Sequence, residues 1–129
     1  MSHTIHAYLL INDIRCNQEW FFNNIRELFQ DTDDIIFSKD VDPFDSQESL
    51  NLNLDSYWLT VFYDSDQQVR DDFNYLGVDG LEAFSRIRVI FGPDEMNAYD
   101  DIAVVIYDFL LNMENVLVYD VTQSEVIEK

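Results

Sequence analysis

Arg86-Ile87-Arg88-Val89-Ile90-Phe91 sets Ile87, Val89 and Phe91 on one side of an extended chain and Arg86 and Arg88 on the other. This period-two pattern is that of a strand with one apolar face. Such a strand needs sheet neighbours and a helical layer to cover its apolar side. Working outward, Thr4–Ile11, Tyr57–Tyr63 and Val116–Val121 are runs of β-branched, aromatic and aliphatic residues that read as further strands.

Helical patterns lie between them. Asn17 suits the N-cap of a helix running to about Gln30, with Phe21, Ile25, Leu28 and Phe29 on one face and Trp20 at its edge. Gln67–Leu76 reads as a short helix closed by Gly77. Gly92-Pro93 ends the alternating strand, and Pro93, Asp94 and Glu95 suit the approach to a helix N-terminus. The helix expected over 98–113 is apolar almost all round, with a narrow polar stripe of Asp101, Asp108 and Asn112. It belongs at the centre of the fold or under a second copy, so monomer and homodimer both stay open. Residues 31–56 are mostly polar, with Ile35-Ile36-Phe37 as one short candidate strand. The chain of 129 residues fits a single domain. The expected fold class is α+β: a two-layer sandwich with a mainly antiparallel sheet of four to five strands. Two or three helices are expected on one face, in the βαββαβ pattern of ferredoxin-like folds.

Charge is the other strong signal. Twenty-six Asp and Glu against seven Lys and Arg give a net charge of −19. Residues 31–56 alone carry eight acids against Lys39. An acidic face repels phosphate, which argues against nucleic acid and against anionic membranes as partners. Fifteen per cent aromatic residues separate the chain from a disordered acidic tail. Cys16 is alone, so no intrachain disulfide is expected. Met1-Ser2-His3-Thr4 lacks the basic segment and apolar run of a secretory leader, and a cytoplasmic location is expected.

Signatures of catalytic chemistry are few. Gly77, Gly80 and Gly92 cannot build a phosphate-binding or dinucleotide loop. Cys16 has only His3 and His6 as conceivable partners. Asp31-Thr32-Asp33-Asp34 and Asp40-Val41-Asp42-Pro43-Phe44-Asp45 begin like calcium loops, but Ile36 and Asp45 stand where the sharp turn needs glycine. Asp64 with Asp66, Asp71 with Asp72 and Asp100 with Asp101 are close acid pairs, frequent by chance in so acidic a chain. No catalytic residue, metal or cofactor is expected.

Binding is better supported. Acids flank aromatics at Phe44, Tyr63, Phe73, Tyr75 and Tyr99; Phe73 and Tyr63 also suit an ordinary core. Aromatic side chains anchor interfaces, and acids steer and pair with a basic partner. The candidate partner-binding residues are Asp31, Asp33, Asp34, Asp40, Asp42, Phe44, Asp45, Asp64, Asp66, Asp71 and Asp72. In size, acidity and lack of catalytic motifs, the whole chain resembles the immunity proteins of bacterial toxin systems, contact-dependent inhibition included. The resemblance implies a non-enzymatic protein that neutralises a basic cognate toxin domain, a nuclease above all, by covering its active site or substrate cleft. Three alternatives accompany it: a DNA mimic that blocks a nucleic-acid-binding protein, an enzyme or small-molecule sensor on a ferredoxin-like scaffold, and salt adaptation. The mimic requires carboxylates in a regular file along one surface.

Overall fold

The computed structural model describes residues 3–32, 34–54, 56–78, 80–94, 96 and 98–127. The elements in chain order are β1 (His3–Leu9), α1 (Gln18–Leu28), β2 (Ile36–Val41), β3 (Glu48–Leu54) and β4 (Tyr57–Asp64). They continue with α2 (Gln67–Asn74), β5 (Ser85–Phe91), α3 (Asp100–Leu111), β6 (Val116–Asp120) and β7 (Glu125–Ile127). The strands form one sheet in the order β2-β3-β4-β5-β1-β6-β7. Every pairing is antiparallel.

The α+β sandwich holds, but seven strands replace the expected four to five. The additions are β3 and β7. β3 carries Leu50, Leu52 and Leu54 on the core side, alternating with Asn51 and Asn53, and pairs both β2 and β4. β7 is three residues that extend the sheet beyond β6.

The alternation at β5 sorts the sheet as the sequence dictates. Ile87, Val89 and Phe91 join Ile5, Ala7, Leu9, Leu59 and Val61 beneath α1 and α3. Helix α1 begins where Asn17 Oδ1 accepts the Trp20 N–H at 3.0 Å, and it buries Phe21, Phe22 and Ile25. Helix α3 buries Ile106 and Leu110 and meets α1 where Phe109 packs against Trp20 and Phe21. The near-continuous apolar surface of α3 is therefore consumed by the sheet and α1, apart from exposed Val104.

The expectation that all helices share one face is corrected. Helix α2 lies on the other face, where Val69 and Phe73 pack with Tyr8, Leu117 and Tyr119. The cause is the interior position of β1. Tyr8 points away from the main core, and without a cover it would sit in water in the middle of the sheet. Gly77, with φ +70°, supplies the left-handed turn that ends this segment. No helix among the described residues is long and apolar enough to cross a membrane.

Six of the elements, β1-α1-β4-β5-α3-β6, follow a βαββαβ order. Their strands lie as β4-β5-β1-β6, with β1 between the parallel-running β5 and β6. The β2–β3 hairpin extends one edge, β7 the other, and α2 interrupts the β4–β5 connection.

Candidate functional site

The β4–β5 register sets Asp64 opposite Arg86 and Phe62 opposite Arg88. Tyr8 and His6 of β1 flank the same two arginines from the other side. Two charges on the face of the strand that α2 partly covers must find partners there, and a compact network results. Arg86 is 5% exposed and Asp64 8%. Asp64 Oδ2 accepts from Arg86 Nε at 2.9 Å and from Arg88 Nε at 3.2 Å, and Asp64 Oδ1 accepts from Gln47 Nε2 at 2.6 Å. Arg86 Nη1 donates to Asp72 Oδ2 at 2.7 Å, and Asp72 Oδ1 accepts from Gln68 at 2.7 Å. The Arg88 guanidinium sits 4.3 Å over the Phe62 ring, a cation–π contact. Burial pushes the Asp64 carboxyl up, yet Arg88, Gln47 and Arg86 together hold it below its ordinary value. Two arginines and two aspartates cancel, so the network itself presents no charge to a partner.

Gln47 ties this network to the β2–β3 turn. Asp42 Oδ1 accepts the Phe44 N–H at 2.8 Å, and Asp45 Oδ1 accepts the Gln47 N–H at 2.9 Å. Asp42 and Gln47 close the hairpin through a backbone bond of 2.9 Å, and Ser46 takes φ 61°. The turn is thereby fixed by its own acids, and it holds Phe44 97% exposed at its tip. A cleft of about 670 Å³ runs from this turn to the start of α2. Asp45, Glu48, Asp64, Asp66, Arg86 and Arg88 are among its walls. Gln68 also borders a neighbouring hollow lined by Asp71, Asn74 and Tyr75. Tyr75 is 90% exposed, so the acidic surface carries a second free aromatic ring.

The sequence candidates therefore divide. Asp42, Phe44, Asp45, Asp66 and Asp71 lie on this surface and are exposed. Asp64 and Asp72 are beside it, but their carboxylates are engaged with arginine inside the chain. Asp40 lies on β2 and accepts from Asn51 Nδ2 at 2.6 Å. Asp31 and Asp34 are exposed before β2, at the end of that strand remote from Asp42. Six strand residues separate them by roughly 20 Å, so the acidic block 31–45 is two surfaces. Asp33 lies outside the described residues. Of the flanking aromatics, Phe73 is core, while Tyr63 and Tyr99 are half-buried.

Sequence reading missed Gln47, Glu48 and Gln18. Gln18 Nε2 donates to Glu48 Oε2 at 2.8 Å and so links the start of α1 to this surface. The signal available was the alternation of Leu50, Leu52 and Leu54, which marks a strand and hence a hairpin turn just before it. No protein-family model matches the chain, nor does any curated protein or any solved structure.

Proposed function

We propose that this chain is a binding inhibitor of the immunity type, which neutralises a basic toxin domain, a nuclease above all, by setting an acidic surface into its substrate cleft. One observation carries the reading: Phe44 stands almost wholly in water at the tip of a turn that Asp42 and Asp45 lock in shape. Burying a phenylalanine ring contributes about 2 kcal/mol, and a rigid presentation loses little freedom on binding. Asp45 next to it in the chain, with Asp66 and Asp71 farther along the acidic surface, supplies steering and pairing for Lys and Arg. In this reading the protein acts in the cytoplasm, without cofactor or catalysis, and its core is a ferredoxin-like unit widened by the β2–β3 hairpin and β7. The DNA-mimic alternative draws less support, because Asp31 and Asp34 sit at the far end of β2 from Asp42 and Asp45 instead of continuing one file.

The test uses a purified basic nuclease-toxin domain as the candidate partner, titrated at about 50 and about 300 mM NaCl. Phe44→Ala is expected to weaken binding at least tenfold, mainly through faster dissociation, which corresponds to about 1.4 kcal/mol. Asp66→Asn with Asp71→Asn is expected to slow association and flatten its salt dependence. Unchanged affinity in both variants, or an affinity indifferent to salt, refutes the reading.

A further inference from the structure

The strand registers lay out the side chains of the α2 face in rows across the sheet. Tyr8, Arg86 and Asp64 share the row at the α2 end. The next row runs through Tyr119, His6, Arg88 and Phe62. Thr4, Ile90, Thr60, Asn51 and Ser38 form the one after it, and Trp58, Asn53 and Ile36 lie beyond. Helix α2 packs on Tyr8, Leu117 and Tyr119, while α1 and α3 pack on the opposite side of the sheet. Phe62, Ile90, Trp58 and Ile36 therefore belong to neither buried cluster. Phe62 and Ile90 are half-buried, Trp58 is 39% exposed and Ile36 69%. Four large apolar side chains on one open sheet face form the kind of patch that marks an interaction surface.

Charge decides what can cover it. In these rows Arg88 is bound to Asp64, and Asp40, at the β2 edge, accepts from Asn51. His6 is uncharged at neutral pH, since burial and the two arginines lower its pKa to about 4. A basic partner gains little here, because the exposed carboxylates lie on the Phe44 surface. A second copy of a chain with net charge −19 has the opposite need: it can approach only where few carboxylates face it. The polar side chains also suit self-pairing, because Asn51 and the hydroxyls of Thr4, Thr60 and Ser38 both donate and accept. Area is sufficient as well. Strands about 4.8 Å apart and rows about 7 Å apart make the open face about 30 Å by about 15–20 Å. With its relief counted, this approaches the roughly 800 Å² that each partner gives to a stable interface.

We propose that two copies of this chain form a two-fold homodimer by packing these open sheet faces together, with Phe62, Ile90 and Trp58 in the contact. Interface cores are aromatic and poor in free charge, which is what the face offers. Helix α3 takes no part, since the sheet and α1 already cover it. The Phe44 turn lies past the opposite end of β2 from Ile36, so the dimer leaves it free. The inference thus stands apart from the toxin-binding reading.

The experiment is analytical ultracentrifugation of the full chain from about 5 to about 500 μM. A species of twice the 15.3 kDa chain mass is expected. Its dissociation constant is expected to fall as NaCl rises from about 50 to about 300 mM, because screening relieves the repulsion between copies. Binding of a basic partner changes with salt in the other direction, so failure of one reading is distinguishable from failure of the other. Thr60→Glu puts an unpaired charge in the middle of the face, and Ser38→Glu puts one at an exposed position in the same row. Each is expected to weaken the dimer about thirtyfold or more, with an unchanged circular dichroism spectrum. Ser38 is on an edge strand, so its variant decides the matter even if Thr60→Glu does not fold. Val104→Glu, on the exposed part of α3, is expected to leave the dimer intact. Four results overturn the proposal: a monomer at every concentration, a dimer indifferent to Ser38→Glu, a dimer broken by Val104→Glu, or a dimer that weakens as salt rises. A monomeric wild type whose binding to the basic domain is lost in Ser38→Glu would give the face to that partner instead.

Discussion

His6 is a residue whose surroundings strongly alter its chemistry. It lies opposite Arg88 in the β1–β5 ladder, and its Nδ1 is 3.2 Å from the Tyr8 hydroxyl. Burial, then the charges of Arg86 and Arg88, lower its pKa from 6.5 to about 4. Between those two values the unfolded chain takes up a proton that the folded chain refuses, so acid favours unfolding. The penalty sets in as pH falls below about 6.5 and is complete below about 4. Replacing His6 by Gln is expected to flatten the pH dependence of Tm in that window relative to wild type; parallel curves would show that His6 is not held neutral. Asp64 acts lower on the scale and with the opposite sense of shift. Its folded pKa is depressed, so its contribution is present above the ordinary carboxyl value of 3.8 and disappears as pH falls through the folded value. Removing one partner of this buried cluster costs about 3–5 kcal/mol. For that reason the partner-binding test uses Asp66 and Asp71 and leaves Asp64 intact.

Between elements, β4 and the residue after β5 meet closely at Gly92. A methyl group there would lie 2.7 Å from the Trp58 carbonyl oxygen and 2.8 Å from its ring, and Gly92 N–H donates to that same carbonyl at 2.8 Å. Gly92→Ala is therefore expected to lower the unfolding free energy by about 1–3 kcal/mol, read from the urea midpoint. Adding Trp58→Leu is expected to recover only part of the loss, because backbone as well as ring stands in the way. The same scale shows what could be read in advance. β5 was legible because Ile87, Val89 and Phe91 alternate with the two charges Arg86 and Arg88. β2 was legible only at its start, as Ile35-Ile36-Phe37, because an edge strand exposed at five of its six positions carries no burial period. β3 alternates as strictly as β5, but its polar members are asparagines set within an acidic stretch, which hid the hairpin. Phe44 was legible as a turn residue from its flanking Asp42-Pro43 and Asp45. The Arg86–Asp64–Asp72 network was not, since it depends on the register of β4 against β5, and the meeting of His3 with Tyr107 joins opposite ends of the chain.

Over the whole molecule, 26 acids outnumber seven bases, and the two arginines best placed to offset them are locked into one network. The remaining carboxylates repel one another across the surface, and this weakens the compact state at low ionic strength. Raising NaCl from about 10 to about 150 mM shortens the screening length to about 8 Å. Tm is expected to rise by about 4 °C for each kcal/mol of repulsion removed, in the same range where affinity for a basic partner falls. A Tm that stays flat would mean that the acids are too dispersed to strain the fold. The position of β1 has a different consequence, in the order of events during synthesis. Within this sheet β1 is made before the other strands, yet it becomes an interior strand, and its two neighbours, residues 85–91 and 116–120, are made long afterwards. Until then, Ile5, Ala7 and Leu9 have no ladder to join. The nascent chain holds an unpaired, apolar strand while the β2-β3-β4 meander can already assemble, so sheet closure is a late step with long-range contacts and a slow rate.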